Sequence, residues 1–165
     1  MREQDLKDFS AFLAEFQAET DRGAALVGAA LIDHKLTDIL RAFMVEGKTT
    51  EALLEGGTAP LGTFASRIKT TFALGLIDDH ELAECDLIRK IRNEFAHRVH
   101  GTTFIDNKIK SLCNQLQSDL PGGRDAFLRK PRETFINAVI LTVLRFTYRA
   151  DWVAKERCRT RAWPY

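Results

Sequence analysis

The run Ala25-Leu26-Val27-Gly28-Ala29-Ala30-Leu31-Ile32-Asp33-His34-Lys35-Leu36-Thr37-Asp38-Ile39-Leu40-Arg41-Ala42-Phe43 decides the fold. Ala25, Gly28, Ala29, Ile32, Leu36, Ile39, Leu40 and Phe43 recur three and four residues apart, which lines them along one side of an α-helix. Thr20 or Asp21 stands where the N-cap of that helix is needed. Gly28 and the alanines around it lower helix propensity but let a neighbouring helix approach closely.

Working outward, the same period recurs. Leu6, Phe9, Leu13 and Phe16 form one stripe of a first helix over 4–19. Residues 46–62 carry Gly47, Gly56, Gly57, Pro60 and Gly62 and read as loop, with at most a short turn near Glu51–Leu54. A third helix is expected over Thr63–Leu74, stopped by Gly75 in the left-handed position. Asp78 and Glu81 form a capping box for a fourth, which runs to about Val99 before Gly101. A fifth covers about Ile105–Gln117 and is ended by Pro121-Gly122-Gly123. Pro131 suits the first turn of a last helix reaching about Arg157. That helix is apolar on nearly every face from Ile136 to Leu144, which makes it the central buried one. No alternating pattern longer than four residues occurs, so no strand is expected. The reading is an all-α, single-domain bundle of about six helices over residues 1–157, followed by a basic aromatic tail, 158–165.

The composition fits. The chain has 165 residues, 45% of them apolar, with only 10 Gly and 4 Pro, so it is long and apolar enough to build a core without staples. A formal charge of +1 argues against binding nucleic acid or membrane by bulk electrostatics. The longest apolar stretch, Ala138–Leu144 interrupted by Thr142, falls far short of the ~20 residues that span a bilayer. The beginning, Met-Arg-Glu-Gln-Asp, does not show a basic-then-apolar pattern, so no secretory leader is expected. Three separated cysteines, Cys85, Cys113 and Cys158, suit a reducing cytoplasm. Charge is nonetheless unevenly spread. Residues 1–21 hold six acids against two bases, while 145–165 hold six bases against two acids. The two ends can pair or lie solvated. Alternatively, Arg149, Lys155, Arg157 and Arg159, interleaved with Tyr148, Trp152, Trp163 and Tyr165, form a nucleic-acid contact.

The chemically loaded stretch is Ile91-Arg92-Asn93-Glu94-Phe95-Ala96-His97 in the fourth helix. Ile88, Ile91 and Phe95 share the core stripe, whereas Asn93 and His97 lie one turn apart on another face, with Arg92 at the border. A guanidinium can fork onto phosphate oxygens, and an imidazole moves a proton near neutral pH, so the set suits metal-free RNA cleavage. The structural alternative has Arg92 burying its stem and pairing with Asp33 or Asp38, and His97 bonding a nearby carbonyl. His34 reads as a surface ion pair with Asp38, His80 as exposed, and Cys85 and Cys113 as core. No Cys/His spacing matches a zinc site, no glycine-rich loop follows a strand, and no metal or cofactor is expected.

Three segments resemble the mannitol operon repressor family: Pro60-Leu61-Gly62-Thr63-Phe64-Ala65-Ser66-Arg67-Ile68-Lys69, then Ala73-Leu74-Gly75-Leu76-Ile77, then Ile88-Arg89-Lys90-Ile91-Arg92-Asn93-Glu94-Phe95-Ala96-His97. Asp21-Arg22-Gly23-Ala24-Ala25-Leu26 is similar as well, and the likeness covers about residues 5–150. It implies an all-helical, cytoplasmic bacterial regulator of a sugar-alcohol uptake operon. Such a regulator lacks a recognisable helix-turn-helix and works through a protein partner, with the sugar phosphotransferase system as the family's link. The Arg-x4-His run also resembles the signature of the HEPN superfamily. That resemblance implies a metal-independent endoribonuclease or RNA-binding module with Arg92 and His97 as the catalytic pair and Asn93 in support, on sites often formed across a dimer. The non-enzymatic regulator is the first reading and the ribonuclease the alternative, with a homodimer expected under both.

Overall fold

The computed structural model describes residues 12–56, 58–98, 101–127 and 129–164. Leu6 and Phe9 of the expected first helix, Gly57, Val99, His100 and Tyr165 lie outside them. The elements in chain order are α1 (12–18), α2 (Asp21–Phe43), α3 (Lys48–Leu54), α4 (Phe64–Ala73), α5 (Asp79–His97), α6 (Asn107–Cys113), α7 (Arg124–Phe127), α8 (Pro131–Thr147), α9 (Arg149–Val153) and a 3-10 turn, Ala154–Glu156. Among the described residues every regular element is helical, and the molecule is all-α.

The chain divides into two compact units. The first comprises the chain up to Ala30 together with Leu87–Val139, and the second Leu31–Asp86 together with the chain from Ile140 onward. The divisions fall inside α2, α5 and α8, so each of these helices supplies one part to each unit.

The first unit is held by aromatic packing. Phe95 of α5 meets Phe104 with ring centroids 4.9 Å apart, and Phe104 meets Phe135 of α8 at 5.2 Å. All three rings are buried, and so are Ala24, Ala25 and Ala29 of α2 and Ile88 and Ile91 of α5 in the same unit. Gly28 belongs to this close approach: a Cβ there would stand 3.0 Å from Phe16 and 3.0 Å from Val139. The small-residue face of α2 is thus used within the chain. Thr20 is the N-cap of α2, its hydroxyl accepting the Gly23 N–H at 3.0 Å. Asp21 reaches instead to the Phe104 N–H at 3.1 Å and to Arg132 at 3.1 Å.

The second unit buries Ile32, Leu36, Ile39 and Leu40 of α2 with Leu54, Phe64, Ile68, Ile77 and Phe146. Thr63 caps α4 and Ser66 returns the bond, a reciprocal box. Gly75 follows α4 at φ +71, the left-handed conformation expected of it. Arg157 Nε donates to the Ala42 carbonyl at 3.0 Å and the Cys158 N–H to the Phe43 carbonyl at 2.7 Å, so the start of the tail satisfies the last carbonyls of α2.

Several elements depart from the sequence expectation. α3 has two turns, because Leu54 is fully buried and Arg41 binds Glu51 and Glu55, one turn apart on its exposed side. α6 is shorter than Ile105–Gln117: the Asp106 carboxylate points to Arg98 at 3.4 Å and makes no side-chain cap, while Ile105 stands outside the helix, 76% exposed. The last helix stops at Thr147. Its hydroxyl bonds back to the Val143 carbonyl, and the next residue but one, Arg149, is drawn to the Leu76 carbonyl and Glu81. In α8, Phe135, Ala138, Val139, Thr142, Val143 and Phe146 are buried, but Ile140, Leu141 and Leu144 are half-exposed, so the helix is buried on one side rather than all round.

Candidate functional site

α5 displays the sequence-selected residues because its two ends and one face are fixed. At its start the Asp78 carboxylate accepts the Glu81 N–H at 2.8 Å, and Glu81 accepts the Asp78 N–H at 3.1 Å. Along its length Cys85, Ile88, Ile91 and Phe95 are fully buried. With that stripe inward, Arg92 and Asn93 come out half-buried and Ala96 and His97 exposed.

Arg92 Nη1 donates to Asn93 Oδ1 at 3.0 Å. The pairing of Arg92 with Asp33 or Asp38 is not what forms. Asp33 binds Arg67 at 2.8 Å, and Asp38 lies 3.5 Å from both His34 and Arg41. His97 follows Asn93 by one turn, with its imidazole open to solvent. Next to this face Glu94 contacts Lys108 at 2.6 Å and Arg98 at 4.0 Å. Arg98 also contacts Asp106, and Arg22 of α2 donates to the Arg98 carbonyl. Residues 89–98, the last turns of α5 and the residue after it, hold Arg89, Lys90, Arg92 and Arg98 against Glu94, a local excess of positive charge in which Lys90 and Arg98 are exposed. Positive side chains here also sit favourably at the negative end of the helix dipole. Such a surface can receive carboxylates of a protein partner or phosphates of RNA. Among the described residues no group of three or more His, Cys, Asp and Glu is arranged to hold a metal.

A family model described as the mannitol repressor matches residues 29–133, from the middle of α2 into the first turn of α8. The chain belongs to the mannitol repressor family. A solved structure with the same fold is a chain of the MtlR–HPr complex from Escherichia coli, 22% identical, with a TM-score of 0.55; the alignment covers 88% of this chain and 98% of that one. A comparison with curated proteins gave no match.

The family match gives a physical setting for the segments that carry the resemblance. In Pro60–Lys69 the pivotal side chain is Arg67, which the sequence did not single out. Its guanidinium donates to the Leu61 carbonyl, the Leu54 carbonyl and the Asp33 carboxylate, each at 2.8 Å, tying α4 to α3, the loop after it and α2. The only local signal was its position beside the core residue Ile68. Arg149 is a comparable tie, donating to Glu81 at 2.7 and 3.1 Å and to the Leu76 carbonyl at 2.8 Å. Of the basic C-terminal residues, Arg149 and Arg157 are therefore engaged within the chain, Arg157 also contacting Glu46 at 2.9 Å. Lys155 lies over the Trp152 ring at 3.9 Å, and Arg159 is exposed. These four residues lie beyond the span that the mannitol repressor model matches. His34 lies 3.5 Å from Asp38 as expected, whereas His80 is half-buried and 3.0 Å from Arg145. No helix among the described residues is long and apolar enough to cross a membrane.

Proposed function

We propose that this chain is a cytoplasmic bacterial transcriptional regulator of the mannitol repressor type that acts by binding a phosphotransferase-system protein of the HPr kind. The family match over residues 29–133 carries this reading, and the shared fold with a chain from an MtlR–HPr complex supports it. The C-terminal half of α5 is the surface assigned to that partner, since exposed Lys90 and Arg98 can meet carboxylates. The regulator needs no catalytic step and works as a homodimer without a helix-turn-helix. Calorimetric titration with purified HPr tests it. Saturable binding that weakens as salt rises, and that falls about tenfold in a Lys90→Glu/Arg98→Glu variant, is the expected result. Absence of binding at millimolar protein overturns the partner assignment, and light scattering reads the dimer.

The alternative reading is a metal-independent ribonuclease with Arg92 on the scissile phosphate, His97 moving the proton and Asn93 holding Arg92. The Arg92–Asn93 contact and the open imidazole one turn away favour it. Cleavage of a mixed-sequence RNA in chelator by wild type, abolished in a folded His97→Ala variant, would establish it. No cleavage by either protein would remove it.

A further inference from the structure

Away from α5, a cavity of about 270 Å³ opens beside α6, its floor formed by Cys113, Leu116, Leu120 and Phe127. Lys110 and Arg129 line it, with Asn114 and Thr134 as the polar neighbours. We propose that this cavity binds a small organic anion: one phosphate or carboxylate head on a short hydrocarbon body.

Four observations converge on that class. Both charged groups that line the cavity are cations, and among the described residues no carboxylate lines it and neither Lys110 nor Arg129 forms an ion pair. Two exposed cations at a rim with no lining carboxylate favour an anion, and a guanidinium can fork onto either head group. Asn114 adds an amide donor. The floor is apolar, and Cys113 and Leu116 are buried beneath it, which suits a hydrocarbon rather than a polyol. A cavity of about 150 Å³ takes benzene, so this one admits a head group and a body of about four carbons.

The backbone adds one more point. Lys130 N–H closes on the Phe127 carbonyl at 2.9 Å, which leaves Arg129 third in the turn at φ +68. Among the described residues it alone has a positive φ without being glycine. Glycine holds that conformation without steric penalty, and the chain uses it at 122 and 123 just before α7. Placing a guanidinium there keeps a strained residue at the cavity's edge, where an anion gives the strain a use.

The test is titration of the full chain with n-butyl phosphate, butyrate and 1-butanol, followed by calorimetry and by amide NMR. Saturable binding of at least one of the anions is expected, with shifts centred on Lys110 and Asn114, and 1-butanol should not bind at the same concentrations. Lys110→Ala and Arg129→Gly should each weaken binding about tenfold or more. Arg129→Gly should also melt about 2 °C higher, which separates lost binding from lost folding. Binding of only one anion identifies the head group. Failure of both anions, equal binding by 1-butanol, or unchanged affinity in Arg129→Gly would overturn the assignment. Neither variant touches α5, so the outcome is independent of HPr binding.

Discussion

Arg67 gathers three separate pieces of chain around one guanidinium, and its side chain is only 14% exposed. Removing it leaves the Asp33 carboxylate and two carbonyls short of their donors, and uncompensated groups of this kind are costly. Arg67→Ala should lower unfolding stability by about 3–5 kcal/mol in denaturant titration. Arg67→Lys should recover little, because an ammonium cannot span three acceptors in a fixed fork. A loss below 1 kcal/mol in Arg67→Ala would show that water replaces the guanidinium. The sequence could not choose between Arg67 and Arg92 as the partner of Asp33, because both sit beside core residues on helices and the choice depends on which helices meet. The thiols were easier. Cys85 and Cys113 are buried, and burial raises both above their ordinary value of 9.0, Cys113 to about 12 and Cys85 further, with Glu81, Glu84 and Asp86 adding to the latter. The folded state therefore keeps protons that the unfolded state releases. The thiol contribution is fully present below about pH 9 and is lost above it at about 1.4 kcal/mol per pH unit for each thiol. Cys85→Ala and Cys113→Ala should each flatten the decline of stability between pH 9 and 10 by about 1 kcal/mol, because the unfolded thiol is already half ionised at pH 9, measured by guanidinium unfolding.

At the level of elements, signals confined to neighbouring residues were legible and those depending on distant partners were not. The capping box of α5, the Gly75 stop and the Pro131 start all rest on groups within four residues of one another, and all formed. The break at Thr147 depends on Arg149 reaching Leu76 and Glu81, more than sixty residues away in sequence, and the periodicity of α8 gave no sign of it. Glu81 belongs to both classes, since it completes the cap and pairs with Arg149. Asp78→Ala, which removes only the cap, should cost about 1 kcal/mol. Glu81→Ala should cost about 3 kcal/mol, because Arg149 loses a partner whose side chain is only 4% exposed. A double-mutant cycle of Glu81→Ala with Arg149→Ala should return a coupling above 1 kcal/mol, and a coupling near zero would make the pair incidental.

For the whole molecule, the all-α class and the outward placement of Asn93 and His97 beside the buried Ile88, Ile91 and Phe95 were legible because helical period alone places them. The division into two compact units was not, since it runs through α2, α5 and α8 rather than through a linker that composition could mark. That division has a thermodynamic consequence. A helix propagates cheaply but nucleates at high cost, so fraying half of α2, α5 and α8 while keeping the other half sacrifices packing on three helices at once. The two units should therefore unfold together, despite their separate cores. The chain carries its own reporters for this, with buried Cys113 in the first unit and buried Cys85 in the second. Pulsed alkylation across a denaturant series should expose both thiols at one midpoint, while the exposed Cys158 reacts throughout. Gly28→Leu tests the coupling more strongly. Its side chain would drive into Phe16 and Val139 of the first unit alone, yet it should shift the Cys113 and Cys85 midpoints by the same amount. A shift of Cys113 with Cys85 unmoved would mean that the units fold independently, and that the shared helices do not carry the coupling.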